Sequence, residues 1–210
     1  MSDLEALTLN DNRRLNYFHP AAITDTPRLA ALDLSGNALF ALEEGLSYNL
    51  PQMRALYLGG NNFHCHCSLK WLGSPRLGLL PNPDEVKCRP DGHLEPISLS
   101  EMSQKFQEEC EPYILPLFDL EEDEMMGKNI SWLCKALGSN DIELAWRLPQ
   151  QGTLVRGGHC SDRVCLDGNV LTIRYLHPSD GGRYTCMAKN KFGQDQRQIR
   201  LDVKVRLCRT

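Results

Sequence analysis

Apolar residues in the first third of the chain recur in a fixed phrase. Leucine stands at 29, 32, 34 and 39 with Asn37 between the last two, and Met53, Leu56, Leu58, Asn61 and Phe63 repeat the spacing. Leu4, Leu7, Leu9 and Asn12 begin an earlier copy whose last apolar residue slips to Leu15. Starts at 4, 29 and 53 give periods of 25 and 24 residues, a spacing at which each unit cannot bury its apolar face alone and must stack on its neighbours. In the L-x-L core of each phrase, the period-2 geometry of a strand sends both leucines inward and the intervening residue outward. The pattern therefore predicts short parallel strands in a stacked solenoid. The Asn that closes each phrase can bond backbone groups that the curving chain leaves unpaired. A leucine-rich amphipathic helix would give no reason for Asn at one repeat phase.

Two changes of texture follow. Residues 65–111 hold Cys65, Cys67, Cys88 and Cys110. From 112 to about 207 the chain alternates as β-strands do, punctuated by the turn signals LPQQG, LDGN and PSDGG. Ile130, Trp132 and Cys134 share one strand face, Leu171 and Ile173 another, and MAKNKFGQDQRQIRLD reads as a final hairpin with Lys191, Phe192 and Gly193 near its turn. The chain thus divides into 1–64, 65–111 and 112–207, with the main boundary near 111.

Composition narrows the class. The 210 residues are 41% hydrophobic and 24% charged, with a formal charge of −4 and no basic run, which excludes an electrostatic footprint for nucleic acid or an anionic membrane. Nine cysteines point to an oxidising compartment. Yet MSDLEALTLNDN has neither the charged nor the apolar region of a signal peptide, and no apolar run is long enough to span a bilayer. The expectation that reconciles these is a piece of a larger secreted or membrane-anchored protein, attached to a membrane only through a segment outside this chain.

His64-Cys65-His66-Cys67 sets four metal-ligating residue types side by side. In an extended strand the two cysteines face one way and the two histidines the other, so one ion cannot collect all four tetrahedrally. No spacing with Cys88, Cys110 or His93 matches a familiar zinc pattern, and no C-x-x-C redox pair is present. Cys160 and Cys165 lie close together near a turn, and a local bridge is the first expectation for them. The odd count leaves Cys208 unpaired, bonded to a partner chain, or bonded to Cys160 or Cys165 instead. His159 reads as a surface residue.

Three motifs carry a resemblance that covers nearly the whole chain. The 24- to 25-residue phrases resemble leucine-rich repeats. Asn-x-Phe-x-Cys-x-Cys-x-Leu-x-Trp-Leu at Asn61 to Leu72, followed by Cys88 and Cys110, resembles the C-terminal flanking cap of extracellular members. That resemblance implies bridges Cys65 to Cys88 and Cys67 to Cys110, with Leu69, Trp71 and Leu72 on a short helix over the open end of the solenoid. Cys134, Trp146 and Asp180-Gly-Gly-Arg-Tyr-Thr-Cys186 resemble an immunoglobulin domain of intermediate or C2 type. There Cys134 and Cys186 would bridge two sheets, Trp146 would pack on the bridge, and Tyr184 would form the tyrosine corner. The implied fold is a leucine-rich-repeat solenoid with a cysteine-rich cap, then an all-β sandwich. This order is similar to that of leucine-rich repeat neuronal proteins, Kekkon and LINGO types, AMIGO adhesion proteins and neurotrophin receptor kinases.

The resemblance implies a non-catalytic adhesion or receptor ectodomain at the cell surface, without cofactor or metal, that binds a protein ligand, a cell-surface receptor or a second copy of itself. Outward repeat positions offer the surface: Thr8, Asp33 and Tyr57 form one row, and Asn10, Ser35 and Gly59 a second. Tyr57 is the large amphipathic residue among them, a type enriched at interface centres. Asn129-Ile130-Ser131 is an N-glycosylation sequon with Asn129 on the outward phase. The acidic run Glu121 to Glu124 reads as a solvated edge strand. No G-x-S-x-G, H-E-x-x-H or phosphate-loop pattern is present. The alternative reading is the recognition portion of a secreted matrix protein, or of a matrix enzyme such as a peroxidasin with its catalytic domain elsewhere.

Overall fold

In the repeat region the alternating leucines set the architecture. The computed structural model describes residues 3–73, 78–90, 92–102, 109–139, 141–149, 154–156 and 158–205. They fall into two compact units, Met1–Cys110 and Glu111–Thr210. Cys208 and the end of the 112–207 segment lie outside the described residues, as do most of the LPQQG turn and the side chain of His159.

Three short parallel strands, β1 (Ala6–Thr8), β2 (Ala31–Asp33) and β3 (Ala55–Tyr57), form one sheet in that order. Register follows the repeat phase: Leu7 pairs with Leu32 and Leu32 with Leu56. Leu32, Leu34, Leu56 and Leu58 are buried in one core with Leu29, Leu39 and Phe63. Chain returns on the far side carry a 3-10 turn at Pro20–Ala22 and the helix α1 (Gly45–Asn49), linked by an Asn49 side-chain bond to the Pro20 carbonyl at 2.8 Å.

The repeat asparagines form a ladder. Asn37 Nδ2 donates to the carbonyls of Leu34 at 2.8 Å and Leu9 at 3.0 Å, while its Oδ1 accepts the Asn12 amide at 2.7 Å. Asn61 repeats this one unit on, donating to Leu58 and Leu34 at 2.9 Å each and accepting from Leu39 at 3.1 Å. Each carboxamide thus satisfies backbone groups of two units at once, the requirement that fixes Asn at this phase. The residue before each Asn is left-handed, at Asp11, Gly36 and Gly60. At Gly36 the φ of 65° favours glycine, and a Cβ there would displace the Asp11 carboxylate, whose Oδ1 would lie 2.2 Å away.

After β3 come β4 (Phe63–His64), β5 (Lys87–Arg89) and β6 (Ile97–Ser98), ordered as a second small sheet. A 3-10 helix, Cys67–Gly73, buries Leu69, Trp71 and Leu72 in the repeat core. The segment after it supplies the partner that β3 otherwise lacks on its open side: Leu56 N donates to the Leu79 carbonyl at 2.7 Å. The short helix α2 (Leu99–Met102) adds buried Leu99 to the same core.

The second unit is a two-sheet sandwich. Its strands are β7 (Tyr113–Ile114), β8 (Glu121–Met125), β9 (Ile130–Leu133), β10 (Ala136–Leu137), β11 (Glu143–Arg147), β12 (Leu154–Arg156), β13 (His159–Cys160), β14 (Val164–Asp167), β15 (Val170–Ile173), β16 (Gly182–Lys189) and β17 (Gln194–Lys204). One sheet runs β12-β11-β16-β17-β8 and the other β13-β14-β15-β9, with β7 and β10 paired apart. Inward positions Ile130, Trp132, Cys134, Trp146, Leu171, Ile173, Tyr184 and Cys186 share one core. Trp132 lies 5.0 Å from Tyr184 and 6.1 Å from Trp146, ring centre to ring centre, within the range of favourable aromatic pairs.

Candidate functional site

Parallel register assembles the first candidate surface. Thr8, Asp33 and Tyr57 are Cα partners across the three repeat strands, so their side chains leave the same sheet face in one row. Thr8 and Tyr57 are exposed and Asp33 is half-buried. Asp33 is also locally committed: its Oδ1 accepts the Ser35 amide at 2.9 Å and the Ser35 hydroxyl at 2.6 Å. Tyr57, 38% exposed, is the large apolar group of the row.

The second row ends differently. Asn10 donates to Asp11 at 2.8 Å and Ser35 to Asp33. At Gly59, however, a Cβ would stand 3.3 Å from both Cβ and Oε2 of Glu85. The cysteine-rich segment therefore leans a carboxylate over that position, which is not the open surface expected from the repeat pattern. Tyr57 is thus flanked by Asp33 on the neighbouring strand and by Glu85 two positions along. Glu85 had no signal in the repeat phase, because it belongs to a different segment.

Four disulfides occur among the described residues: Cys65 to Cys88, Cys67 to Cys110, Cys134 to Cys186 and Cys160 to Cys165. Cys160 and Cys165 stand opposite each other in the β13–β14 hairpin.

The histidines need a correction. Strict alternation through 64–67 would turn both away from the cysteines, but the strand ends at His64. The two rings stack at 6.2 Å, while His66 is buried with Nε2 3.1 Å from Cys110 Sγ. His66, Cys67 and Cys110 offer ligand atoms within 4.8 Å of one another. Both sulfurs are joined to each other in the bridge and so are not the thiolates that a zinc site requires.

In the sandwich, Tyr184 Oη donates to the Asp180 carbonyl at 2.7 Å, the tyrosine-corner bond. Asp180 is buried; its Oδ2 accepts the His177 amide at 2.7 Å and pairs with Arg163. Arg163 is a partner that the sequence reading missed, because a pair 17 residues apart on two elements leaves no local pattern. Burial first, then the nearby Asp180 charge, pushes the Tyr184 phenol well above its ordinary range. Burial and the hydrogen bond to Glu43 do the same for Tyr17.

The acidic run lies on β8, an edge strand paired in parallel with β17. It is not uniformly solvated: Glu122 Oε2 accepts the Trp132 indole N–H at 2.7 Å. Asn129 is exposed, with Oδ1 accepting the Tyr175 amide at 2.9 Å. A further surface, unforeseen from the sequence, is a depression of about 500 Å³ on the β12–β11–β16–β17 sheet, whose lining includes Ala145, Met187, Arg147, Arg156, Lys189 and Glu143.

Residues 2–63 match the Leucine rich repeat family and residues 122–203 the Immunoglobulin I-set domain family. Over 208 residues, 92% of this chain, the sequence is 27% identical to leucine-rich repeat and fibronectin type III domain-containing protein 1 of Danio rerio, of which the match covers 34%. It is 28% identical over the same span to the Homo sapiens protein of that name, of which the match covers 25%. The chain therefore spans about a third of the length of these relatives or less. Among solved structures, the Ig-like domain of human leucine-rich repeat-containing protein 4 aligns with 21% identity and a TM-score of 0.36, over 43% of this chain and 85% of that one. No helix among the described residues is long and apolar enough to cross a membrane. The chain therefore carries leucine-rich repeats followed by an immunoglobulin I-set domain, with disulfides in both units.

Proposed function

We propose that this chain is the non-catalytic recognition portion of a cell-surface adhesion or receptor protein, anchored by a single membrane-spanning segment outside the sequence. Its partner is a protein that docks on the repeat-sheet face through Thr8, Asp33 and Tyr57. The observation that carries this reading is the single row made by these residues, with exposed Tyr57 between the carboxylates of Asp33 and Glu85. An amphipathic aromatic flanked by two negative charges suits a partner with an apolar socket rimmed by lysine or arginine.

Residues 65–111 serve in this reading as the lid of the solenoid, stapled by two disulfides. Each loop of a few tens of residues stabilises by roughly 3 to 4 kcal/mol in the chain-entropy model. Asn129 carries an N-linked glycan. Its exposed side chain supports this, because the carboxamide nitrogen that would bear the sugar has no protein partner among the described residues. The test is a binding screen of the whole ectodomain against cell-surface proteins, with Tyr57→Ala and Asp33→Arg beside it. Binding that neither substitution weakens would remove this face from consideration.

A further inference from the structure

Tyr175 occupies a place that a tyrosine rarely takes. Its φ is 52°, the left-handed region that disfavours side chains with a Cβ, and its side chain is left in solvent, the residue being 68% exposed. The backbone around it explains how the conformation is held. Arg174 N donates to the Arg163 carbonyl at 2.8 Å, and Leu176 N donates to the Lys128 carbonyl at 2.8 Å. Gly127 N returns a bond to the Leu176 carbonyl at 2.7 Å. Leu176 is buried, so the chain inserts Leu176 into the core and turns Tyr175 out between two fixed neighbours.

The remaining amide points at one group. Tyr175 N donates to Asn129 Oδ1 at 2.9 Å, which fixes the carboxamide of the sequon asparagine against the backbone of the exposed tyrosine. The other end of that carboxamide, Nδ2, is the atom to which an N-linked sugar attaches. That nitrogen shares its carboxamide carbon with the Oδ1 that accepts the Tyr175 amide, so the sugar would leave the protein beside the backbone of Tyr175. A left-handed tyrosine with an exposed ring beside a modification site is a starting point for a functional hypothesis.

We infer that Tyr175 is a platform for the glycan: its ring stacks against the C–H face of the first N-acetylglucosamine on Asn129. The negative face of an aromatic ring attracts the weakly positive C–H groups of a sugar as it does the edge of another ring, and the stacking covers the otherwise exposed tyrosine. This inference rests on glycosylation of Asn129.

The test is a cycle on the full chain, secreted from glycosylating cells and trimmed under native conditions to a single N-acetylglucosamine. Ser131→Ala abolishes the sequon while leaving Asn129 and its bond to Tyr175 in place, and Tyr175→Ala removes the ring. The sugar should raise the melting point of the immunoglobulin unit by about 4 °C in the parent, by nothing measurable in Tyr175→Ala, and by nearly the parental amount in Tyr175→Phe. An equal increment in the parent and Tyr175→Ala overturns the platform while leaving the glycan. An intact mass without sugar on Asn129 overturns both readings.

Discussion

The indole nitrogen of Trp71 donates a hydrogen bond to the carbonyl oxygen of Leu42 across 3.0 Å, in a buried setting. One residue comes from the cysteine-rich segment and the other from the repeats, so the bond ties the lid to the solenoid by a polar contact as well as by apolar packing. Trp71→Phe should keep most of the buried ring but forfeit this bond, at a cost of about 1–2 kcal/mol. Trp71→Ala, which also opens a cavity, should cost about 3–5 kcal/mol. Denaturant unfolding of the repeat unit separates the two, and equal midpoints for the two variants would show that the bond and the ring do not contribute as argued.

Arg163 and Asp180 make the corresponding tie in the sandwich. Asp180 has 7% of its side chain exposed and Arg163 has 45%, so the two halves of the pair are unequal. Asp180→Ala removes the acceptor of the His177 amide and leaves Arg163 only the Tyr175 carbonyl at 3.4 Å and solvent, and should cost about 2–3 kcal/mol. Arg163→Ala leaves Asp180 its backbone partner and, at a half-exposed site, should cost under about 1.5 kcal/mol. Chemical denaturation of both variants checks the order; a reversal would contradict it.

Alkaline pH should destabilise both units through two phenols, half-buried Tyr17 and buried Tyr184. Tyr17 and Tyr184 are held above the ordinary value of 10.0, chiefly by burial. Below that value both folded and unfolded chains keep the proton, and stability from these groups is complete. As pH rises beyond about 10 the unfolded chain ionises first, so stability falls. Absorbance at the phenolate band should rise for these two residues together with loss of circular dichroism, and Tyr17→Phe and Tyr184→Phe should each delete one step. Ionisation of either residue in a still-folded chain would refute the assignment.

The cysteine pairs should survive as drawn in the secreted protein. Peptide mapping without reductant should return 65 with 88, 67 with 110, 134 with 186 and 160 with 165. Of the nine cysteines, Cys208 is then left outside these pairs. Recovery of Cys208 bonded to Cys160 or Cys165 would contradict the hairpin pairing.

What the sequence made legible, and what it did not, follows from distance along the chain. Leu32, Leu34 and Asn37 were readable because alternation and the asparagine ladder repeat at a fixed period. Trp146 and Tyr184 were readable because their spacing from Cys134 and Cys186 is itself the motif, and Trp132 because it alternates with Ile130 and Cys134 along one strand. His66 departs from the alternation because the strand ends at His64 and the chain turns into the 3-10 helix that begins at Cys67. Glu85 beside Gly59, and Arg163 beside Asp180, were invisible because each pair is brought together only by the folded path of a separate segment.

Protein binding at the repeat-sheet face, as proposed, is decided by affinity measured at that face. The whole ectodomain should bind at least one member of a cell-surface protein panel. Tyr57→Ala and Asp33→Arg should each weaken that interaction at least about tenfold, the loss expected when an interface anchor is removed or a charge reversed. Asp33→Asn, which keeps an oxygen for the Ser35 amide while removing the charge, should weaken it less, with unchanged unfolding. A partner that binds all three variants as tightly as the parent would show that this face is not the binding surface.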